Sequence, residues 1–383
     1  MDPENSPKVV AGEPIHTLLL AVEDSPELDV RSFVVEEALS EPLAIRVVAM
    51  TRDEVPFEAV VGSEAIFAVH GARPRFWSTI VRRATLARAE PSGLSTYEIE
   101  LSHRLSLLAE STRLRVFQDQ SLVETVGAVL AEHGVPYRLD LDPGAYPRIE
   151  YRVQWGESDL ELMHRLLCEA GVGYFFAERQ EPSPGRDELV TEVVLPDAMG
   201  RSGPRAPARQ LVDTPTPGLQ AEVVTAVTVA RELRPGRVVV RDVDDSTGAE
   251  APLESVAEVS EANEIERMLE RHLFVPGAFR CHVDVASETP LADERGAVRH
   301  DQAHGDRRAR LAAEGAHRDA TTVAASTNAI DLMPGDVIEV EGHPHPVVSG
   351  PLLVVRSIVR GAHDEHEEAR IEAIPAATPF RPA

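Results

Sequence analysis

Short apolar runs separated by Pro, Gly and charged turns fill the first part of the chain: Phe33-Val34-Val35, Leu43 to Val48, Ala65 to Val69 and Tyr97 to Leu101. Runs of this length between turn residues predict strands. Together they predict a small β-barrel over residues 15–115, behind a polar N-terminal arm at residues 1–14. Two helix signatures follow. Ser121-Leu122-Val123-Glu124 has the form of a capping box, in which the serine oxygen and the glutamate carboxylate satisfy orphan amides. Leu122, Val123, Val126, Val129 and Leu130 then form one stripe, and Gly134 ends it. Ser158-Asp159-Leu160-Glu161 repeats the device, with Leu162, Met163, Leu166 and Leu167 facing inward and Gly171 as terminator. Val172 to Phe176 reads as a buried strand, so residues 116–220 predict an α/β domain with Pro/Gly-rich loops at Glu181 to Gly185 and Gly200 to Gly218.

Strand-like patterning returns over residues 221–254 (Val223 to Ala230, Arg237 to Val240) and 321–376, a second β-barrel domain interrupted by a helical and loop insertion at residues 255–320. In that insertion Ile265, Met268, Leu269 and Leu273 share a face. The two β regions repeat one pattern. Val61-Gly62-Ser63 precedes the run to Val69, then Phe76 to Leu86, then Tyr97-Glu98-Ile99-Glu100-Leu101; Pro334-Gly335-Asp336 precedes the run to Val340, then Leu352 to Val359, then Ala369-Arg370-Ile371-Glu372-Ala373. Gly62 lies 37 residues before Ile99, and Gly335 lies 36 before Ile371. Alternation and glycine turns also recur in unrelated hairpins, but the matched spacing favours duplication. The fold class expected is α+β and β-rich: two similar β-barrel domains with intervening α/β and helical segments.

Charge narrows the partners. Against 38 basic residues stand 64 acidic ones, a formal net charge of −26 that repels phosphate backbones and anionic lipid headgroups. Neither nucleic acid nor a membrane is an expected partner. Lys8 is the sole lysine of the 383 residues, which excludes a P-loop and Schiff-base chemistry. Cys168 and Cys281 are too few for a disulfide scaffold and read as small buried hydrophobes. The start of the chain lacks a cationic region and a long apolar run, so neither a Sec-type signal peptide nor a membrane anchor is expected.

Candidate chemistry is thin. His343 and His345, His363 and His366, and His300 and His304 stand at short spacings, yet His363-Asp364-Glu365-His366 has the wrong order for a zinc-binding HExxH, and solvated loops explain them better. Asp242, Asp244 and Asp245, or Glu367 and Glu368, could in principle act as a glycosidase pair, but so few Trp and Tyr predict no aromatic sugar cleft. Trp77 and Trp155 are expected in the core rather than on a partner surface. The run Arg307-Arg308-Ala309-Arg310 reads as a solvated helix face, with an acidic surface of a neighbouring subunit as the alternative. No catalytic, cofactor-binding or metal-ligating residue is assigned, no cofactor is expected, and the chain is expected not to be an enzyme.

At several strings the chain resembles the VgrG proteins of type VI secretion systems and the related baseplate hub proteins of contractile phage tails, including the late control protein D type. These are Glu37-Ala38-Leu39-Ser40-Glu41-Pro42-Leu43, Arg115-Val116-Phe117-Gln118, Glu157-Ser158-Asp159-Leu160, and Glu169 to Phe176. Pro235-Gly236 with Asp242-Val243-Asp244, Met333-Pro334-Gly335-Asp336, Ile374-Pro375 and Pro379-Phe380-Arg381-Pro382 complete the set. The resemblance implies a homotrimer whose duplicated barrels form a pseudo-sixfold ring. It further implies an Hcp-like tube hexamer and a spike or needle as partners, possible baseplate proteins and effectors, and cytoplasmic assembly followed by ejection. In full-length VgrG the Pro-Phe-Arg-Pro segment leads into a needle. Residues 377–383 are therefore read as leading to a spike absent here or carried by a separate polypeptide. A cell-wall hydrolase and a glycan- or receptor-binding tail protein are the alternatives.

Overall fold

The computed structural model describes residues 18–70, 73–183, 186–197, 199, 209–213, 222–243, 252–280, 301–363 and 367–382. Strands β1 (Leu18–Val22), β2 (Asp29–Ala38) and β3 (Ala44–Thr51) lead through a short helix α1 (Phe57–Val60) into β4 (Glu64–Val69), β5 (Arg75–Ala89) and β6 (Ser95–Ser102). Their order in the sheet is β1-β4-β5-β6-β3-β2. Alternation along these strands turns Phe33, Phe67, Trp77 and Ile99 inward, where all are buried. The Trp77 ring stacks on Phe67 at 5.6 Å.

A 3-10 turn at Arg104–Glu110 leads to β7 (Thr112–Gln120), α2 (Leu122–Glu132), β8 (Tyr137–Asp140), β9 (Ile149–Ser158), α3 (Asp159–Ala170), β10 (Phe175–Ser183) and β11 (Arg186–Pro196). Both expected capping boxes are present, Ser121 with Glu124 and Ser158 with Glu161, and Gly134 and Gly171 adopt positive φ where the helices end. β7 and β9 form a two-stranded ribbon; β10, β11 and β8 form a small sheet. Glu181, Pro182 and Ser183, read as part of a loop, instead belong to β10, paired with Glu188, Asp187 and Arg186 of β11.

The rest of the chain comprises β12 (Arg209–Asp213), β13 (Val223–Arg231), β14 (Arg237–Val243), β15 (Pro252–Glu258), α4 (Glu264–Met268), β16 (Glu270–Phe274), α5 (Gln302–His317), β17 (Thr321–Thr327), β18 (Val337–Glu341), β19 (Leu352–Ala362) and β20 (Glu368–Pro375). Six of these close into a barrel of order β12-β18-β19-β20-β17-β13, shut by pairing of β12 with β13. Val224, Ile338, Val340, Leu352 and Ile371 fill its interior and leave only a small apolar cavity. Position for position, this order repeats that of β1 to β6. The duplication read from spacing is therefore a duplication of strand order, although β12 runs parallel to β18 where β1 runs antiparallel to β4.

Two segments depart from the sequence reading. Arg237–Val243, taken as a second-barrel strand, is instead the central strand of a separate sheet, β15-β14-β16, beneath α5. A run such as Val238-Val239-Val240, buried on both faces, looks alike in either setting, so only its partners decide. Arg209–Asp213 lies in a stretch read as loops, yet it is a barrel strand; its single fully buried side chain, Leu211, is masked by polar neighbours.

Candidate functional site: the joints between the barrels

The two barrels are one continuous sheet. β2 gives one edge to β3 and the other to β19, antiparallel, with Glu37 opposite Ser357 and Val35 opposite Val359. Because that second edge is taken, β2 only lies beside β1, and the first barrel stays open there. The strings that carry the resemblance sit at this joint and at its neighbours.

Glu37 is buried, and its carboxylate receives Arg75 Nη2 at 2.9 and 3.1 Å and the indole N–H of Trp77 at 3.2 Å. The Arg75 guanidinium stands 4.4 Å from the Trp77 ring centre. A carboxylate taken out of water is held only by donors of this kind. Next along the chain, Leu39 N–H donates to the Val355 carbonyl, and Ser40 turns the backbone at φ +61°. Ser40 N–H donates to the Tyr174 carbonyl at 2.9 Å, and Tyr174 N–H donates back to Ser40 Oγ at 3.2 Å. Glu41 then accepts two 2.8 Å bonds from Arg356. The Phe175 ring lies against Gly335, and Phe380 packs so close to Gly173 that a Cβ there would come within 3.1 Å of it. Arg381 donates to the Gly171 carbonyl at 2.9 Å and to Glu314 at 2.8 Å. Beside this joint Arg209 holds Asp331 at 2.8 and 2.9 Å and also grips Glu222, which Arg73 of the first barrel reaches at 3.2 Å.

Two further strings meet at Asp159, which is fully buried at the start of α3. Arg115 pairs with it, His133 Nε2 lies at 2.7 Å and Gln154 donates at 2.8 Å. Burial pushes this carboxyl up; the bonds from Gln154 and His133 and the charge of Arg115 outweigh that and leave it below the usual range. At Pro235-Gly236 the backbone runs against α4, with Gly236 N–H donating to the Glu266 carbonyl at 2.8 Å. Glu266 is likewise buried and accepts from Arg231, from Arg234 N–H and from Asn263 N–H. Its carboxyl too is lowered, the backbone bonds and Arg231 outweighing burial. His103 links the first barrel to β11. Its Nδ1 accepts from Leu105 N–H, its Nε2 stands 2.8 Å from the Thr191 carbonyl, and burial pushes the imidazole down to about 4.

Among the described residues, the candidates weighed for chemistry are not brought together. His343 and His345 bond only to backbone in their own turn, His304 lies on α5, and His363 is exposed at the end of β19. Asp242 is buried in β14, and Glu367 and Glu368 lie at the start of β20. Asp244, Asp245, His300, His366 and Cys281 fall outside the described residues, as does the N-terminal arm. Among the described residues no cluster of three His, Cys, Asp or Glu could hold a metal, and no helix is long and apolar enough to cross a membrane.

Three expectations are corrected. Trp77 is core, but Trp155 is 80% exposed. On β9 the polar Gln154 turns inward to serve Asp159, so alternation sends Trp155 outward, opposite Leu114. Cys168 is exposed, on the outer side of α3. Arg307 and Arg308 do not form a purely solvated face: they pack on the same chain, Arg307 over the Tyr146 ring and Arg308 3.6 Å from Glu169.

Twinned barrels welded strand to strand, with an α/β unit tied to them by hydrogen bonds of Ser40 and His103 and an inserted helix-backed sheet tied to them through the buried Glu266, define a tail-hub class of protein. The chain belongs to the phage tail baseplate hub family, which matches residues 36–364. It is 28% identical over 380 residues to the type VI secretion system spike protein VgrG2a of Pseudomonas aeruginosa, covering 93% of this chain and 40% of that protein. Against VgrG2b of the same organism it is 27% identical, covering 93% and 34%. The chain thus spans no more than about two fifths of the length of these relatives. In fold it is similar to the Escherichia coli c3393 protein, a type VI secretion component described as similar to the T4 bacteriophage tail proteins gp27 and gp5 (TM-score 0.64, 20% identity, covering 96% of this chain and 80% of that one). It is also similar to the tail protein from Neisseria meningitidis (TM-score 0.62, 10% identity, covering 95% and 97%).

Proposed function

We propose that the chain is the non-enzymatic hub of a contractile injection machine: a homotrimer that seats a threefold spike on a sixfold, Hcp-like tube. One observation carries this reading, the repetition of a six-strand order within a single chain. Three copies then offer six similar faces, and closed symmetry leaves no unpaired polar edge between mismatched partners. The closed barrel is filled by its own side chains, so any passage lies on the axis of the ring rather than through a barrel. Rigidity is the mechanism. Obligate interfaces of ~2,000–5,000 Å² transmit the force of contraction without a titrating group or a bound cofactor. The spike, baseplate proteins and effectors are partners by the same reading, with assembly in the cytoplasm before ejection.

Light scattering on the full chain, followed by particle images, tests this. The expected result is a mass of three chains and a ring with six lobes. A stable single chain of 41.7 kDa at micromolar concentration overturns it. Incubation with peptidoglycan fragments is expected to release no reducing ends; release would favour the hydrolase reading instead.

A further inference from the structure

The ribbon of β7 and β9 is patterned inside out. Its register sets Leu114 opposite Trp155, Val116 opposite Val153 and Gln118 opposite Tyr151, and alternation places these six side chains on one face. That face is the outer one. Leu114, Val116, Tyr151 and Trp155 are all exposed large hydrophobics. On the other face, Arg115 Nε donates to Gln154 Oε1 at 2.7 Å and its guanidinium pairs with Asp159, while Arg152 Nη1 stands 3.3 Å from Thr125 Oγ1 on α2. Antiparallel strands with one wet face ordinarily turn apolar residues inward and polar ones outward. Here the order is reversed.

The backbone fixes the reversal. Between the Thr112–Ser158 and Leu114–Trp155 pairs, β9 has Gly156 and Glu157 against the single Arg113 of β7, a bulge with Gly156 at φ +70°. Gln154 Nε2 donates to the Glu157 carbonyl at 3.0 Å and to Asp159 at 2.8 Å, which locks the polar side inward. A slip of one residue would bury Trp155 and break both bonds. The exposed apolar face is thus a built feature of the fold.

Charge and size select its occupant. None of the six side chains is ionisable near neutral pH except through the Tyr151 phenol, in a chain with 64 acidic and 38 basic residues. A charged segment laid on this face would lose its water and gain no counter-charge. The face offers about 500 Å² of side-chain surface, a sizeable patch for one chain but short of the ~800 Å² per partner of a stable interface. It does not hold a second copy by itself. Its three rows of pairs run about 14 Å along the strands, close to the ~11 Å that two turns of helix cover. We propose that the outer face of this ribbon docks the apolar stripe of an amphipathic helix from another protein, with Trp155 as the anchor. The trimer reading above is independent of this contact, so either can fail alone.

Trp155 reports occupancy directly, because Trp77 is buried. The probe is a tryptophan-free synthetic peptide of about 18 residues, long enough to hold a helix, with leucines on one stripe and polar residues elsewhere. Added to the full chain, it is expected to shift the emission to the blue and at least halve the fraction of it open to acrylamide. A peptide of the same composition with its leucines scattered is expected to do neither. Leu114→Asp and Val116→Asp should each weaken the striped peptide at least tenfold, while Phe274→Asp, at an exposed position on the inserted sheet, leaves it unchanged. No shielding at millimolar striped peptide, equal shielding by both peptides, or unchanged binding in Leu114→Asp overturns the proposal. It is also overturned if Trp155 is already shielded in the protein alone and Leu114→Asp both exposes it and lowers the solution mass, since a second copy then covers the face. Shielding by peptidoglycan oligosaccharides but not by the striped peptide would make the face a glycan platform instead.

Discussion

Gly335 repeats Gly62: both hold left-handed backbone, at φ +99° and +93°, where the chain turns into the first strand of a hairpin pair. An L side chain at such an angle costs about 1–2 kcal/mol. A Cβ at Gly62 would meet nothing within 4 Å, and one at Gly335 would rest 3.5 Å from the Phe175 ring, an ordinary contact. Backbone strain is then the whole effect at both sites. Gly62→Ala and Gly335→Ala are each expected to lower stability by about 1–2 kcal/mol in urea unfolding. A loss at one site several times that at the other would contradict their equivalence.

Removing one partner of the Glu37–Arg75 pair strands a charge in the core. Both side chains are at most 4% exposed, and Arg75 Nε and Nη1 already have no hydrogen-bond partner among the described residues. Glu37→Leu and Arg75→Met are each expected to destabilise by roughly 3–5 kcal/mol. The double variant should lose less than the two singles added, because it leaves no stranded charge. Additive losses in a denaturation cycle would mean that the pair contributes nothing as a pair.

Acid should loosen the link between the first barrel and β11. His103 is neutral in the folded chain, with its value at about 4 against 6.5 for the free side chain. Below pH 6.5 the unfolded chain therefore binds a proton that the folded chain refuses. The stability contributed by neutral His103 is complete above pH 6.5, declines as pH falls toward 4, and levels off below. The full drop is about 3 kcal/mol. His304, also lowered to about 4 by burial and by Arg308 and Arg307, adds a slope of the same sign. His103→Gln is expected to flatten the dependence of the unfolding midpoint between pH 6.5 and 4 without abolishing it. An unchanged slope would show that another group titrates there.

What could be read along the chain was local or repeated. Ser121 with Glu124 and Ser158 with Glu161 cap helices because each box is satisfied within four residues. The Gly62–Ile99 and Gly335–Ile371 spacings reported the duplication although the hairpins differ, β5 having 15 residues and two bulges and β19 having 11 and one, because a longer turn between β18 and β19 makes up the difference. Partners far apart in sequence were not legible. Nothing in Arg237–Val243 says that it pairs with Pro252–Glu258 rather than with a barrel strand, and nothing in Leu211 announces a strand among prolines. The resemblance strings, by contrast, map onto joints. Glu37, Ser40, Arg115, Asp159, Gly173 and Arg381 each grip another element, a role that composition and periodicity do not register.

The two tryptophans should separate cleanly in experiment. Trp77 is 1% exposed and stacked on Phe67, so Trp77→Ala is expected to cost about 3–5 kcal/mol. Trp155 projects from the ribbon, and its cross-strand neighbour Leu114 is itself 70% exposed. The opposite face of the ribbon, where Arg115 and Gln154 hold Asp159, carries the packing. Trp155→Ser is therefore expected to shift the unfolding midpoint by no more than about 0.5 kcal/mol. With Trp77 as its sole indole, that variant should emit further to the blue and resist acrylamide quenching, whereas the unaltered protein shows a quenchable, red-shifted component. If Trp155→Ser destabilises as much as Trp77→Ala, the outer face of the ribbon is packed within the chain and the alternation along β9 has been assigned to the wrong side.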